Sequence, residues 1–249
     1  MRRFFVEDFK DRDGTCRITG SEARHMAKVL RMTSGDRLIL MDGRGHHYQG
    51  CITRVGRQVV EVALEARLPS PPASPVEIVL LQALLKSGPM DTLIQKTSEL
   101  GADRMVPFAA GRSVVRFDEA RQANKMTHWK KIARNAAKQS GRGTPLQVGS
   151  LSAFEGLLDR YKTVDALKVI LWEEEASRDL KGVLRSMSTT RRYVGMVGPE
   201  GGFSKAEVER ARSAGFTPVS LGRRVLRAET AAIAMTAIVQ YELGDLGIP

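Results

Sequence analysis

The sequence predicts an α/β chain in two parts, a small mostly β domain followed by a larger domain built on a parallel sheet. Three observations carry this. Residues 70–75, Ser-Pro-Pro-Ala-Ser-Pro, form an uncharged proline cluster, and proline removes backbone donors and stiffens the chain, so the stretch reads as a linker. Before it lie short β-prone runs separated by turn signals. After it, short apolar runs alternate with helical stretches. The expected boundaries are residues 1–70 for the first domain, 71–75 for the linker and 76–249 for the second domain.

In the first part, Arg37–Met41, His46–Val55 and Gln58–Leu64 are candidate strands, parted by turns at Asp42-Gly43 and Val55-Gly56-Arg57. One helix, Glu22–Arg31, is predicted with Ser21 as its N-cap. Closure removes exposed strand edges, so a compact barrel is expected here.

In the second part, Val76–Ala83, Met105–Ala109, Lys168–Trp172, Tyr193–Val197 and Thr217–Leu221 suit buried strands. Met90–Leu100 places Leu93, Ile94, Thr97 and Leu100 on one helix face and stops at Gly101. Ser204-Lys205-Ala206-Glu207 is a capping-box pattern opening a helix that ends at Gly215. Strands alternating with helices imply a parallel sheet covered on both faces. The last helix, Thr230–Leu243, is apolar almost all round, so it must be buried in its own core or against another subunit.

Composition narrows the function. With 42% hydrophobic and 27% charged residues the chain is globular rather than disordered. No apolar run reaches membrane-span length, and the N-terminus turns acidic at Glu7-Asp8 before a signal segment forms. A cytoplasmic location is the expectation. Cys16 and Cys51 are the only cysteines, without a CxxC, and the four histidines form no HExxH. Neither a disulfide framework nor a metal site is expected.

A net charge of +11 and a pI near 10.0 point to a polyanionic partner, with nucleic acid the commonest. A basic surface that merely keeps the chain soluble is the alternative. Residues 121–147 hold seven basic residues and no acidic one. Trp129, Ile132, Ala133, Ala136 and Ala137 recur there at helical spacing, with Lys130, Lys131, Arg134 and Lys138 on the opposite side. Such a cationic face would neutralise phosphates without reading bases.

Two glycine-bearing segments are the sharpest signals. Val197-Gly198-Pro199-Glu200-Gly201-Gly202-Phe203-Ser204 and Leu221–Ala231, which reads LGRRVLRAETA, each follow an apolar run and precede a helix. Turns at strand ends present backbone N–H groups, and glycine admits a ligand close to the main chain. Two of them suggest one shared pocket. No GxGxxG follows the first strand of the second part, and no GxxxxGK[ST] occurs, so neither a Rossmann dinucleotide site nor a P-loop is indicated.

These residues resemble the bacterial 16S rRNA uridine-N3 methyltransferases (the RsmE family) of the SPOUT superfamily, over essentially the whole chain. The matching segments are His25–Arg31 with Gly35-Asp36, Gln82–Lys86, Gln95-Lys96 with Glu99–Gly101, Arg112-Ser113, Trp129, and Gln139–Arg142 with Pro145, together with the two glycine segments. Asn135, where many relatives would carry an acidic residue, departs from the pattern and leaves this helix more positive.

The resemblance implies a SPOUT-type parallel sheet with a C-terminal trefoil knot, preceded by a small PUA-like β-barrel that helps hold RNA. It implies S-adenosyl-L-methionine as cofactor, held by loops after three strands. Those loops contain Leu171 at the first; Gly198, Glu200, Gly201 and Gly202 at the second; and Leu221, Gly222, Leu226, Thr230 and Ala231 at the third. It also implies a homodimer through the C-terminal helix region and 16S rRNA or the small ribosomal subunit as partner. A methyl donor needs little more than in-line positioning. Uridine N3 must lose its imide proton, which spreads negative charge over the flanking carbonyls. Arg227 is the candidate to stabilise that charge and Glu229 the candidate base. Glu229 reads equally as a helix-N-terminal charge. Lys86, Arg112, Lys130, Lys131, Arg134, Lys138 and Arg142 are candidate RNA contacts. The alternatives left open are another SPOUT RNA methyltransferase (ribose 2′-O or N1-purine) and a non-catalytic rRNA-binding assembly factor.

Overall fold

The computed structural model describes the chain except residues 7, 8, 10–13, 70, 71, 114–118, 187–190, 248 and 249, and except the side chains of residues 119 and 120. Glu7, Asp8 and the first linker positions therefore lie outside the described residues. The chain divides into two compact units. Met1–Pro72 joins Ala137–Pro145 in the first, and Ala73–Ala136 joins Leu146–Pro249 in the second.

The first unit holds β1 (Arg2–Phe5), β2 (Thr15–Thr19), α1 (Gly20–Arg24, running on as a π turn over His25–Val29), β3 (Arg37–Met41), β4 (His47–Val55) and β5 (Val59–Leu68). The strands run in the order β1-β3-β4-β5-β2, with β1 parallel to β3 and the other pairs antiparallel. Alternate residues point to one side, so Cys16 and Ile18, Leu38 and Leu40, and Val60 and Val62 meet Phe4, Met26 and Ile52 in a single core. The expected cap at Ser21 is corrected. The chain leaves β2 through Gly20 at φ +70°, which starts the helix two residues early, with Thr19 in the cap position and no side-chain cap.

Ala137–Pro145 was expected in the second domain and belongs to this unit. Ala137 packs with Phe5 and Met41. Gly143 lies so near Gly45 that a Cβ there would stand 2.7 Å from the Gly45 Cα.

The second unit contains β6 (Glu77–Ala83), α2 (Ser87–Glu99), β7 (Arg104–Ala109), α3 (Glu119–Ser140, its last turn in the first unit), β8 (Gln147–Val148) and β9 (Ser152–Ala153). Then follow α4 (Phe154–Lys162), β10 (Leu167–Leu171), α5 (Leu180–Ser186), β11 (Arg192–Val197), α6 (Lys205–Ser213), β12 (Thr217–Val219) and α7 (Ala228–Leu243). The sheet runs β12-β10-β11-β6-β7-β8, with β9 also on β7, and every pairing is parallel.

Neighbours along β6 serve opposite cores. Ile78 and Leu80 join Trp129, Leu93 and Met235, whereas Val79 and Leu81 join Phe108, Phe154 and Phe203. That is why these strands read as unbroken apolar runs: both faces are covered. The last predicted strand stops at Val219, short of Leu221, because the chain after it turns into a cavity wall. Among the described residues, no helix is long and apolar enough to cross a membrane.

The predicted capping box of α6 is present. The Ser204 hydroxyl oxygen accepts the Glu207 N–H at 3.3 Å, and Glu207 accepts the Ser204 N–H at 2.9 Å. Glu207 also accepts the Gly111 N–H at 3.0 Å, so it pins the loop after β7 to the start of α6. Burial pushes its carboxyl up, but these hydrogen bonds and the Arg210 charge outweigh that and hold it below the usual 4.5. A depressed carboxylate pKa adds stability above the ordinary value, and that stability is lost as pH falls through the folded-state value. Glu207→Gln is expected to lower stability at neutral pH by about 1.5–3 kcal/mol. In urea titrations across pH the gap to the parent protein should close below 4.5; a constant gap would contradict this account.

Candidate functional site

The ends of β10, β11 and β12 lie side by side, because β11 and β12 flank β10 in the sheet. Ligands of open parallel sheets gather beyond such carboxyl ends. Here the chain leaving each strand forms a wall of one cavity of about 550 Å³. Leu171, Trp172 and Glu173 make the first wall, Val197–Glu200 with Gly202 and Phe203 the second, and Val219–Glu229 with Ala231 the third. Lys86 and Pro89 complete it from the start of α2.

The glycine loop after β11 is held from several sides. Its turn closes through the Gly202 N–H to the Pro199 carbonyl at 3.0 Å, with Gly202 at φ +65°. Glu200 accepts the Lys86 N–H at 3.2 Å. The Arg112 guanidinium donates to the Gly201 carbonyl at 3.1 Å, and buried Gln82 donates to the Gly198 carbonyl at 3.4 Å. The third wall ends at the N-terminus of α7. Arg227 stands in the extended cap position, its carbonyl accepting the Ala231 N–H at 2.8 Å, and Glu229 falls in the first turn. Arg227 is exposed and Glu229 half-buried.

Of the residues expected at a cofactor, Leu171, Gly198, Glu200, Gly202, Leu221, Gly222, Leu226 and Ala231 line the cavity, as do Arg227 and Glu229. Gly201 and Thr230 do not line it. Gly201 faces Arg112, where a Cβ would stand 3.3 Å from the Arg112 Cβ, and Thr230 is exposed. Trp172, Arg223 and Arg224 also line the cavity, within the strand end and the second glycine segment singled out in the sequence, whereas Glu173 was missed. Its position just beyond an apolar strand was the available signal.

The RNA methyltransferase domain family matches residues 72–240, and the RNA methyltransferase PUA domain family matches residues 18–65. The chain is 31% identical to ribosomal RNA small subunit methyltransferase E of Bacillus subtilis, covering 97% of each chain. The chain belongs to the ribosomal RNA small subunit methyltransferase E family. A putative methyltransferase from Legionella pneumophila, solved with bound cofactor SAM, superposes at TM-score 0.89 with 30% identity, covering 98% of each chain. Methyltransferase E from Neisseria gonorrhoeae, bound to S-adenosyl methionine, superposes at 0.87 with 30% identity over 98% of this chain and 99% of the other. The expected fold class, a parallel α/β sheet after a PUA-like first domain, is the fold of this chain.

The basic residues are less uniform than their spacing implied. Lys86 alone among the seven expected RNA contacts lines the cavity. Lys130 and Lys131 are exposed on α3, and Arg134 and Arg142 are half-buried. Lys138 leaves the predicted outward face. Its ammonium pairs with Glu22 at 2.7 Å, and its side chain is only 18% exposed. Among the described residues there is no cluster of three His, Cys, Asp or Glu side chains suited to a metal.

Proposed function

We propose that the protein transfers a methyl group from S-adenosylmethionine to N3 of a uridine in the RNA of the small ribosomal subunit. The observation that carries this reading is the cavity at the ends of β10, β11 and β12, which both Arg227 and Glu229 line. The names and bound cofactor of the relatives support the donor and the RNA. The residues present suit that donor. The cavity of about 550 Å³ is of small-molecule size. Gly202 at φ +65° and Gly222 at φ +113° bring bare main chain into its walls.

Bound S-adenosylmethionine supplies a methyl carbon already activated on a sulfonium. The chain's own residues do the rest. The glycine loops hold the reacting groups in line, which is the main requirement of this transfer. Glu229 takes the N3 proton of the uridine. Arg227 stabilises the negative charge that spreads over the two flanking carbonyl oxygens. Lys86, at the cavity, and Lys130 and Lys131, on α3, hold RNA phosphates, with Arg134 and Arg142 in the same role. Arg112 contributes by shaping the Gly201 turn as well as by charge. The uridine must be unpaired and splayed out, since pairing occupies N3.

The reading extends to a trefoil knot in the chain around β12 and α7, to residues 1–70 as the RNA-gripping module, to cytoplasmic action, and to a homodimer. The homodimer is supported by α7. Its Ala232, Met235 and Val239 are buried, while Ile233 and Ala237 on another face are only half-buried and Tyr241 is 69% exposed. Light scattering should give twice the 27.4 kDa chain mass, and Ile233→Glu with Tyr241→Glu should halve it. A monomeric parent protein would end the dimer reading.

The activity is tested with small subunits from a strain lacking this protein, incubated with the protein and labelled S-adenosylmethionine. Digestion and mass spectrometry should show 3-methyluridine. A ribose-methylated or N1-methylpurine product, or no methylated product, would overturn the proposal.

A further inference from the structure

Three carboxylates line the cavity, Glu173, Glu200 and Glu229, beside four basic side chains, Lys86, Arg223, Arg224 and Arg227. Glu200 is already engaged, accepting the Lys86 N–H. Glu229 lies in the first turn of α7, where unpaired N–H groups favour negative charge. Glu173 differs from both, having neither a partner nor a place in a helix. It follows β10 by two residues, is exposed, and makes no hydrogen bond or ion pair among the described residues. Its carboxylate rests against the Cα of Gly202, where any side chain would overlap it. The positive φ of Gly202 and its missing side chain thus leave a charged group at the wall with its acceptor sites open.

A wall with this surplus of basic groups suits an anionic RNA but repels a cation. S-adenosylmethionine is cationic at its sulfonium and at its ammonium and anionic only at its carboxylate, so it is a net cation. Something in the cavity must offset that repulsion, and an uncompensated carboxylate is the group that does so most directly. We infer that Glu173 is the counter-charge for the cationic part of the methyl donor, and so sets the preference for S-adenosylmethionine over uncharged adenosine derivatives. This rests on the proposed function, because the donor must occupy this cavity.

Calorimetric titration of the full chain with S-adenosylmethionine and with uncharged 5′-methylthioadenosine tests it. Glu173→Gln keeps the size and removes the charge at an exposed position, and an unchanged thermal transition verifies the fold. Loss of a charge-assisted contact is expected to weaken S-adenosylmethionine about tenfold and methylthioadenosine less than about twofold. Equal weakening of both ligands would mean that the carboxylate serves the shared adenosine, and would overturn the assignment. Unchanged affinity for S-adenosylmethionine would overturn it too. Failure of the parent protein to bind S-adenosylmethionine would instead remove the proposed function itself.

Discussion

Arg227→Ala is expected to lower methyl transfer to rRNA by about 10²–10³-fold while changing S-adenosylmethionine affinity little. The guanidinium lies at the cavity but belongs to the cap position of α7, where the backbone is extended and the helix takes nothing from the side chain. Removing it therefore leaves the wall standing. On the proposed function, what disappears is a fixed positive charge beside the carbonyl oxygens of the reacting uridine, a charge that matters most when the imide proton has left. Arg227→Lys should recover only part of the rate, since a point ammonium cannot serve two oxygens as a planar guanidinium does. Single-turnover assays with saturating donor separate the two effects. If Arg227→Ala instead weakened donor binding and left the saturated rate intact, the residue would belong to the cofactor rather than the chemistry.

Gly202→Val is expected to reduce S-adenosylmethionine binding by on the order of 100-fold, because a β-branched residue at positive φ costs about 1–3 kcal/mol before any overlap is counted. Gly202 sits at φ +65° in a turn closed by its own N–H on the Pro199 carbonyl. The new side chain would also drive the Glu173 carboxylate out of its place. Either the turn opens or the wall shifts, and both change the same cavity. Gly202 itself is half-buried and outside the apolar cores, although Phe203 beside it belongs to one, so the thermal transition should move, but less than the affinity. Binding that matches the parent protein would show that this loop does not hold the donor.

Much of the fold was legible because it is written in local patterns. The capping box at Ser204 and Glu207, the stop at Gly101 with φ +94°, and the apolar runs of β6, β10 and β11 each depend on neighbours along the chain. Most of the missed strands lacked such a period, β2 with its alternating burial being the exception. Strand β1 has only two buried residues in four, and β8 and β9 have two residues each. The helix at Gly20 began early because one glycine torsion changed where the chain turned.

The same division runs through the site. Glycine turns, a basic helix and an arginine-rich segment before an apolar helix are properties of sequence, and they marked the second and third walls. Glu173 was not marked, because a place just beyond an apolar strand does not by itself distinguish a strand end at a cavity from one in solvent. Lys138 shows the converse. Helical spacing assigned it to an outward face, and only its meeting with Glu22, 116 positions away, withdrew it.

Torsions, caps and apolar periodicity need only a few consecutive residues, so the order of amino acids alone determined where the regular elements lie and which of their faces are apolar. Strand order, the sharing of Ala137–Pro145 with the first unit, and the cavity at three chain-distant strand ends arise when remote segments pack. Those choices depend on which surfaces fit, a property held jointly by many residues, and only the folded arrangement decides them.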